Sequence, residues 1–331
     1  MSSLNDLASF SAKWGSDFLL VQGAGGNTSR KQGDRLVVKA SGLRLADALA
    51  RDVFVDVAMT DALAMIDGGK APTGANGLRA SIEASLHAVM PGSIVAHLHM
   101  VSLIAVAVRA DAEAVLAERL AGLNWAFLPY LQPGAAVAQA VQASLAERGP
   151  MDVLVLGNHG IVLQGETFQA IEALLADVDR RLAYAPAETG PRDEEKLARV
   201  AARFGLEPAR LEQTHLAALD PAALRHATTG SLYPDHVVFL GRGAGIVDEE
   251  SDALQPDRLL HFVPGAGALL APGLPDEAHE MAACLSEVAR RIPANATVAP
   301  LSAEAENVLA NWDAEIYRRN LAAHPRLDPG A

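Results

Sequence analysis

Ser93-Ile-Val-Ala-His97-Leu-His99-Met100 follows a break at Pro91-Gly92. The run is apolar and β-branched at its start, which predicts a short buried strand. Side chains alternate across a strand, so His97 and His99 face the same way, with Cα atoms roughly 7 Å apart. Two imidazoles on one face of an apolar strand are two of the three protein ligands that an open zinc site needs. Taken singly, a histidine in such a strand is a hydrogen-bonded core residue. The strand by itself leaves both readings open.

Upstream, Leu4–Trp14 predicts a helix, and Asp17–Gln22 runs into Gly23-Ala-Gly25-Gly26-Asn27-Thr28-Ser29. An apolar stretch before Gly-x-Gly invites a dinucleotide-binding reading, which fails on two counts. The sixth position is Thr28, and the segment from Arg30 to Lys39, around Gln32-Gly33-Asp34, predicts a hairpin where the fingerprint must open a helix. The glycines either free backbone N–H groups for an anion or make an ordinary glycine-rich loop. Ala40-Ser41-Gly42-Leu43 ends the hairpin, Val53–Val57 is a further strand, and Thr60 caps a helix through Ile66. After a flexible Asp67–Gly77 loop, Leu78–Met90 is a helix that leads into the histidine strand. On it Arg79 and Glu83 stand at i and i+4, the spacing of a surface ion pair, and His87 one turn later is structural.

Downstream, Leu103–Leu120 predicts one long helix, Trp125–Tyr130 a strand, Ala135–Arg148 a helix and Met151–Leu156 a buried strand. Gly157-Asn158-His159-Gly160 turns into Ile161–Leu163, and Thr167 caps a helix to about Tyr184. Strands and helices alternate without a strict βαβ rhythm. With the hairpins, this predicts an α/β fold of helices on a largely antiparallel sheet. Pro186–Pro191 marks a boundary, giving a domain over 1–185 and a smaller α+β extension over 186–331. The extension has helices at Asp193–Phe204, Pro208–Leu219, Pro275–Arg291 and Ser302–Ala322. It also has a strand at Val237–Leu240 and a strand pair at Leu259–Val263 and Gly267–Ala271.

Half of the 331 residues are hydrophobic and 20% charged, as in a water-soluble globular chain. The net charge of −13 argues against a nucleic-acid partner, which would need a basic face. An anionic ligand must then be held by local groups. The single cysteine, Cys284, excludes an internal disulfide framework and fits the cytoplasm. No basic-then-apolar leader is present and no apolar run reaches the roughly 18 residues that span a bilayer, so no membrane partner is expected.

Gly25-Gly-Asn-Thr-Ser29, Ser41-Gly42, Ser81-Ile-Glu83, His97-Leu-His99 and Gly157-Asn-His-Gly160, in this order over residues 4 to 185, resemble the class II aldolase/adducin family. The resemblance implies α/β/α layers and one divalent metal, most often zinc, on His97, His99 and His159. Three neutral imidazoles leave the open position that a catalytic zinc requires. It implies that Glu83 is the catalytic acid/base, in or near that open position without substrate, and that Asn27, Ser41, Gly42 and Ser81 hold a substrate phosphate. A helix N-terminus near Ser81 would suit an anion. One departure is Ala80 before Ser81, where phosphate-binding aldolases tend to carry two serines.

The implied reaction is cleavage of a ketose phosphate or related hydroxy-ketone through a metal-bound enediolate, with Glu83 returning a proton to carbon. Relatives use the same chemistry for epimerisation, dehydration or decarboxylation. The adducin-like interaction branch lacks the histidines present here. Tyr130 and His236 are either proton donors to the leaving oxygen or structural residues. Family members are commonly tetramers, so a homo-oligomer is expected. Gly230–Val237 and Asn311–Arg318 resemble the aldolase portion of bifunctional aldolase–short-chain dehydrogenases; the sequence ends at Ala331, so no dehydrogenase domain or activity is expected.

Overall fold

A computed structural model describes residues 4–311. The expected continuation of the last helix to Ala322, and the resembling segment beyond Asn311, lie outside those residues. In chain order the elements of the first part are α1 (Leu4–Gly15), β1 (Asn27–Gln32), β2 (Arg35–Lys39), β3 (Phe54–Ala58), α2 (Met59–Ala64), α3 (Ala84–Val89), β4 (Ile94–Leu98), α4 (Val101–Ala107), α5 (Ala112–Arg119), β5 (Trp125–Leu128), α6 (Ala135–Arg148), β6 (Val153–Leu156), β7 (Gly160–Gly165) and α7 (Phe168–Leu182). The chain forms two units. One comprises the residues up to Leu103 with Glu113–Ala183, and the other Ile104–Ala112 with the residues from Tyr184.

The first unit is built on a seven-stranded sheet of order β3-β2-β1-β4-β7-β6-β5. Every pair is antiparallel except β5–β6, so the α/β class with a largely antiparallel sheet is what forms. β1 and β2 close through a two-residue Gly33-Asp34 turn in which Gly33 takes φ 59°, as a tight hairpin demands. Residues paired across the strands share a face. On one face Val38 and Val55 pack with Ala62 of α2 and Ala84 of α3, and Val95, Leu154 and Val162 pack with Leu86 of α3 and Val137 and Val141 of α6. A six-residue helix has no stability of its own. Buried Leu86, at roughly 1.5–3 kcal/mol for a side chain of this size, is what seats α3 on the sheet. The opposite face carries α1 and α7, which meet at Phe10 and Phe168, 4.7 Å between ring centroids, and α1 is tied to β1 by Ser11 Oγ and Thr28 Oγ1 at 2.6 Å.

Thr60 lies inside α2 and does not cap it, and the expected Pro208–Leu219 helix starts only at Glu212, with Pro208 paired as strand; beyond these shifts at helix starts, three expectations need correction. Residues 78–83 are not helical. Arg79 and Ala80 form isolated bridges with Thr73 and Ala40, Ser41 N–H donates to Arg79 O, and Ser81 N–H donates to Lys39 O. These residues extend the end of β2, and the helix opens only after Glu83. Arg79 and Glu83 therefore do not share a helix face. The expected Leu103–Leu120 helix breaks after Ala107, because Arg109 bridges Val298 and Ala110 N–H donates to Thr297 O.

The second unit adds α8 (Glu194–Phe204), β8 (Glu207–Pro208), α9 (Glu212–His215), α10 (Pro221–Ala227), α11 (Pro234–Leu240), β9 (Gly245–Ile246), β10 (Leu260–Val263), β11 (Gly267–Leu270), α12 (Asp276–Ala289) and α13 (Ala303–Asn311). Its sheet runs β8-β11-β10-β9. The third correction is here: Val237–Leu240 is the end of a helix. Pro234 sits at the first helical turn, where its missing N–H costs nothing, and every residue from Pro234 to Leu240 is buried. A helix buried all round leaves no polar stripe and reads in sequence like a strand. Among the described residues no helix is long and apolar enough to cross a membrane.

Candidate metal centre

The site is assembled by strand register. β4 lies between β1 and β7, with His97 opposite Asn27 on one side and Val162 on the other. His97, Asn27, Ser29 and Val162 thus point to the face that α3 covers. His99 follows β4 and His159 precedes β7. Asn158 takes φ 53°, a left-handed conformation that asparagine tolerates, and turns the chain into His159-Gly160. Gly160 is needed there for close approach: a Cβ would stand 2.4 Å from Leu98 O and 3.2 Å from His97 Cε1.

The three buried imidazoles meet edge to edge, with centroid separations of 5.0 Å (His97–His99), 4.8 Å (His97–His159) and 5.3 Å (His99–His159). One ring nitrogen from each lies within 4.8 Å of the others. His97 Nδ1 donates to Ile161 O at 3.1 Å, which puts the lone pair of neutral His97 on Nε2, 3.1 Å from His99 Nε2. Glu83 lies at the entry to α3 with its Oε1 3.5 Å from His97 Nε2 and 3.7 Å from His159 Nε2. That oxygen is buried and has no hydrogen-bond donor. Nitrogen lone pairs and a carboxylate oxygen facing one point make a donor set that fits a divalent cation, whose charge would satisfy all of them.

The other carboxylate oxygen is anchored. Asn27 Nδ2 donates to Glu83 Oε2 at 2.8 Å and reaches Ser81 Oγ at 3.4 Å, while Ser81 Oγ accepts from Glu83 N–H at 3.2 Å. The structure therefore brings together His97, His99, His159, Glu83, Asn27 and Ser81. Ser41 and Gly42 connect to this group through backbone, by the Ala40–Ala80 bridge and the Ser41–Arg79 hydrogen bond. The expected helix N-terminus at Ser81 is absent, since α3 opens at Ala84. Tyr130 stands by backbone beside Gly157, which a Cβ would bring within 3.1 Å of Tyr130 N. His236 lies in the second unit, inside α11, with its ring 6.0 Å from that of Tyr233.

Sequence reasoning misses two residues. His87 is wholly buried and bonds to Ser29 Oγ at 2.6 Å and to Asn27 Oδ1. Lys39 is 2% exposed, and its ammonium donates to Ala24 O at 2.8 Å and Leu43 O at 2.7 Å, tying the glycine-rich loop to the Ser41-Gly42 segment. The only signal for it in the sequence is a charge closing an apolar strand.

Burial pushes the Glu83 carboxyl up, but the imidazoles of His97 and His159, the Asn27 amide and His99 outweigh it and bring it down to about 2. His87 moves the other way: burial pushes it down to about 3, against the pull of Glu83 and with help from His97 and Lys31. His236, also buried, falls to about 4. The folded chain then binds fewer protons than the unfolded one between the ordinary histidine value of 6.5 and about 3. The stabilisation from neutral His87 is fully present above that ordinary value and is lost as pH falls towards 3. Each such histidine contributes a slope of ~1.4 kcal/mol per pH unit in this window. Denaturant unfolding at pH 6.5 down to 4 should show stability falling, with a shallower slope in His87→Gln. Equal slopes in the two proteins would contradict a neutral buried His87.

Residues 5–184 match the family model described as Class II Aldolase and Adducin N-terminal domain. Over 180 residues the chain is 31% identical to a protein of Bacillus subtilis (strain 168) named uncharacterized oxidoreductase YuxG, a match that covers 46% of this chain and 25% of that protein. The chain spans about a quarter of the length of that relative. Similar solved structures include the N-terminal class II aldolase domain of a conserved protein from Thermoplasma acidophilum, at 27% identity and TM-score 0.46, covering 55% of this chain and 92% of that one. Another is an L-fuculose-1-phosphate aldolase from Thermus thermophilus, at 18% identity and TM-score 0.38, covering 53% and 91%.

Proposed function

The chain belongs to the class II aldolase and adducin family, and from that membership we propose that it is a zinc-dependent aldolase that cleaves a ketose phosphate or related hydroxy-ketone. The family is divalent-metal dependent, and the His97, His99 and His159 cluster could hold such an ion. The observation that carries the reading is the convergence of the Glu83 carboxylate, fixed by Asn27 at 2.8 Å, on those three imidazoles. An adducin-like interaction module would have no use for a buried carboxylate aimed at a ligand cluster.

The roles divide by position. His97, His99 and His159 hold the ion, which when bound supplies Lewis-acid polarisation of a substrate oxygen. Glu83 Oε1, free of hydrogen-bond donors, takes or returns the proton at the substrate carbon. Asn27 and Ser81 fix the carboxylate and its backbone, and Ser81, Ser41 and Gly42 receive the anionic end of the substrate. The Lys39 ammonium places positive charge between the two loops at that end, which a chain of net charge −13 cannot supply through its overall field.

A screen of ketose 1-phosphates and 2-oxo acids for aldehyde release tests this. Release that stops on chelation and returns with zinc is the expected result. Formation of an epimer, loss of water or loss of carbon dioxide without aldehyde would reassign the reaction within the family's chemistry. No turnover and no substrate proton exchange with any candidate would turn the assignment to the interaction module.

A further inference from the structure

We propose that His87 is a positioning residue for Glu83, acting through Asn27. Four buried side chains form one line: Ser29 Oγ to His87 Nδ1 at 2.6 Å, His87 Nε2 to Asn27 Oδ1, and Asn27 Nδ2 to Glu83 Oε2 at 2.8 Å. All four are at most 6% exposed, so water does not compete for their hydrogen bonds.

The carboxylate fixes the direction of every proton along the line. An ionised Glu83 only accepts, so Asn27 must turn its NH₂ towards it and its carbonyl away. The carbonyl then needs a donor, which is His87 Nε2–H. A neutral imidazole has a single N–H, so Nδ1 must accept, and the Ser29 hydroxyl donates to it. The opposite amide orientation would face a carbonyl oxygen against the carboxylate and the Asn27 NH₂ against a ring N–H, leaving both poorly paired in a buried place. The line thus holds Glu83 by Oε2 and leaves Oε1 to the imidazole cluster. Strand register supplies two of its members, since Asn27 and Ser29 alternate on one face of β1.

The inference rests on the reading of Glu83 as acid/base, and its test separates the two. In zinc-loaded full-length protein, nitrogen NMR of labelled histidine should show His87 neutral with its proton on Nε2; a proton on Nδ1 would overturn the proposal whatever the activity. His87→Leu removes the donor at similar volume. Its kcat for substrate proton exchange should fall about 10–100-fold, the scale of outer-shell partners, with KM and zinc content within about twofold. His87→Gln keeps a donor near the Nε2 position and should return most of the loss. Equal activity in His87→Leu and the parent, or a loss that His87→Gln does not relieve, would overturn it as well. If the parent itself exchanges no proton, the assignment of the reaction fails, and the tautomer alone then decides whether His87 orients Asn27.

Discussion

Glu83→Gln should lower turnover and substrate proton exchange by about 10²–10⁴-fold, the range of a lost general acid or base, while metal content and far-ultraviolet circular dichroism stay as in the parent. The amide keeps one oxygen and nearly the same volume, so Asn27 still has an acceptor at 2.8 Å. What is lost is the group that carries a proton at Oε1, 3.5 Å from His97 Nε2 and 3.7 Å from His159 Nε2. A shape-preserving substitution that silences the reaction without disturbing the fold is the mark of chemistry rather than packing. An enzyme within tenfold of the parent would remove Glu83 from the acid/base role and leave it as a structural anchor for α3.

The second large effect concerns the ion. Replacing His97 or His159 by alanine should cut zinc affinity by well over the 10–100-fold that even an outer-shell partner costs, since each supplies one of three nitrogens that lie within 4.8 Å of one another. Elemental analysis after dialysis against a weak chelator reads this directly, with about one ion per chain expected for the parent. The two variants test different parts of the fold. His97 sits on β4, paired on both sides, and His159 in the turn before β7. A His159→Ala protein that retains its zinc would mean the ion is held by the β4 pair and some other donor, and equal metal in His97→Ala and parent would exclude His97 as a ligand.

Much of this centre is legible in the amino-acid sequence. Alternation along Ser93–Met100 puts His97 and His99 on one face, and the hairpin after Thr28 excludes a dinucleotide site. His159 and Glu83 enter through family resemblance, because nothing in local periodicity says that a turn after one strand meets the end of another. Helical spacing from Leu78 misplaces Glu83 on a surface pair with Arg79, since backbone bonds to Pro72, Lys39 and Ser41 hold that segment extended. His87 looks merely structural because its partners, Asn27 and Ser29, come from β1 on the far side of a hairpin and a loop. At Val237–Leu240 the helix signal is present in Pro234 and is hidden by uniform burial.

The order β1-β4-β7 at the centre of the sheet also fixes when a metal can act during folding. His97 and His99 are neighbours on and just after β4, but His159 comes some sixty residues later in the chain and joins them only when β7 pairs with β4. Closing such distant segments costs entropy before any coordination bond can form. A site that needs all three histidines is therefore complete only late in folding. An ion held by all three imidazoles is thus expected to slow unfolding and to leave the folding rate unchanged, which stopped-flow refolding and unfolding with and without zinc would read.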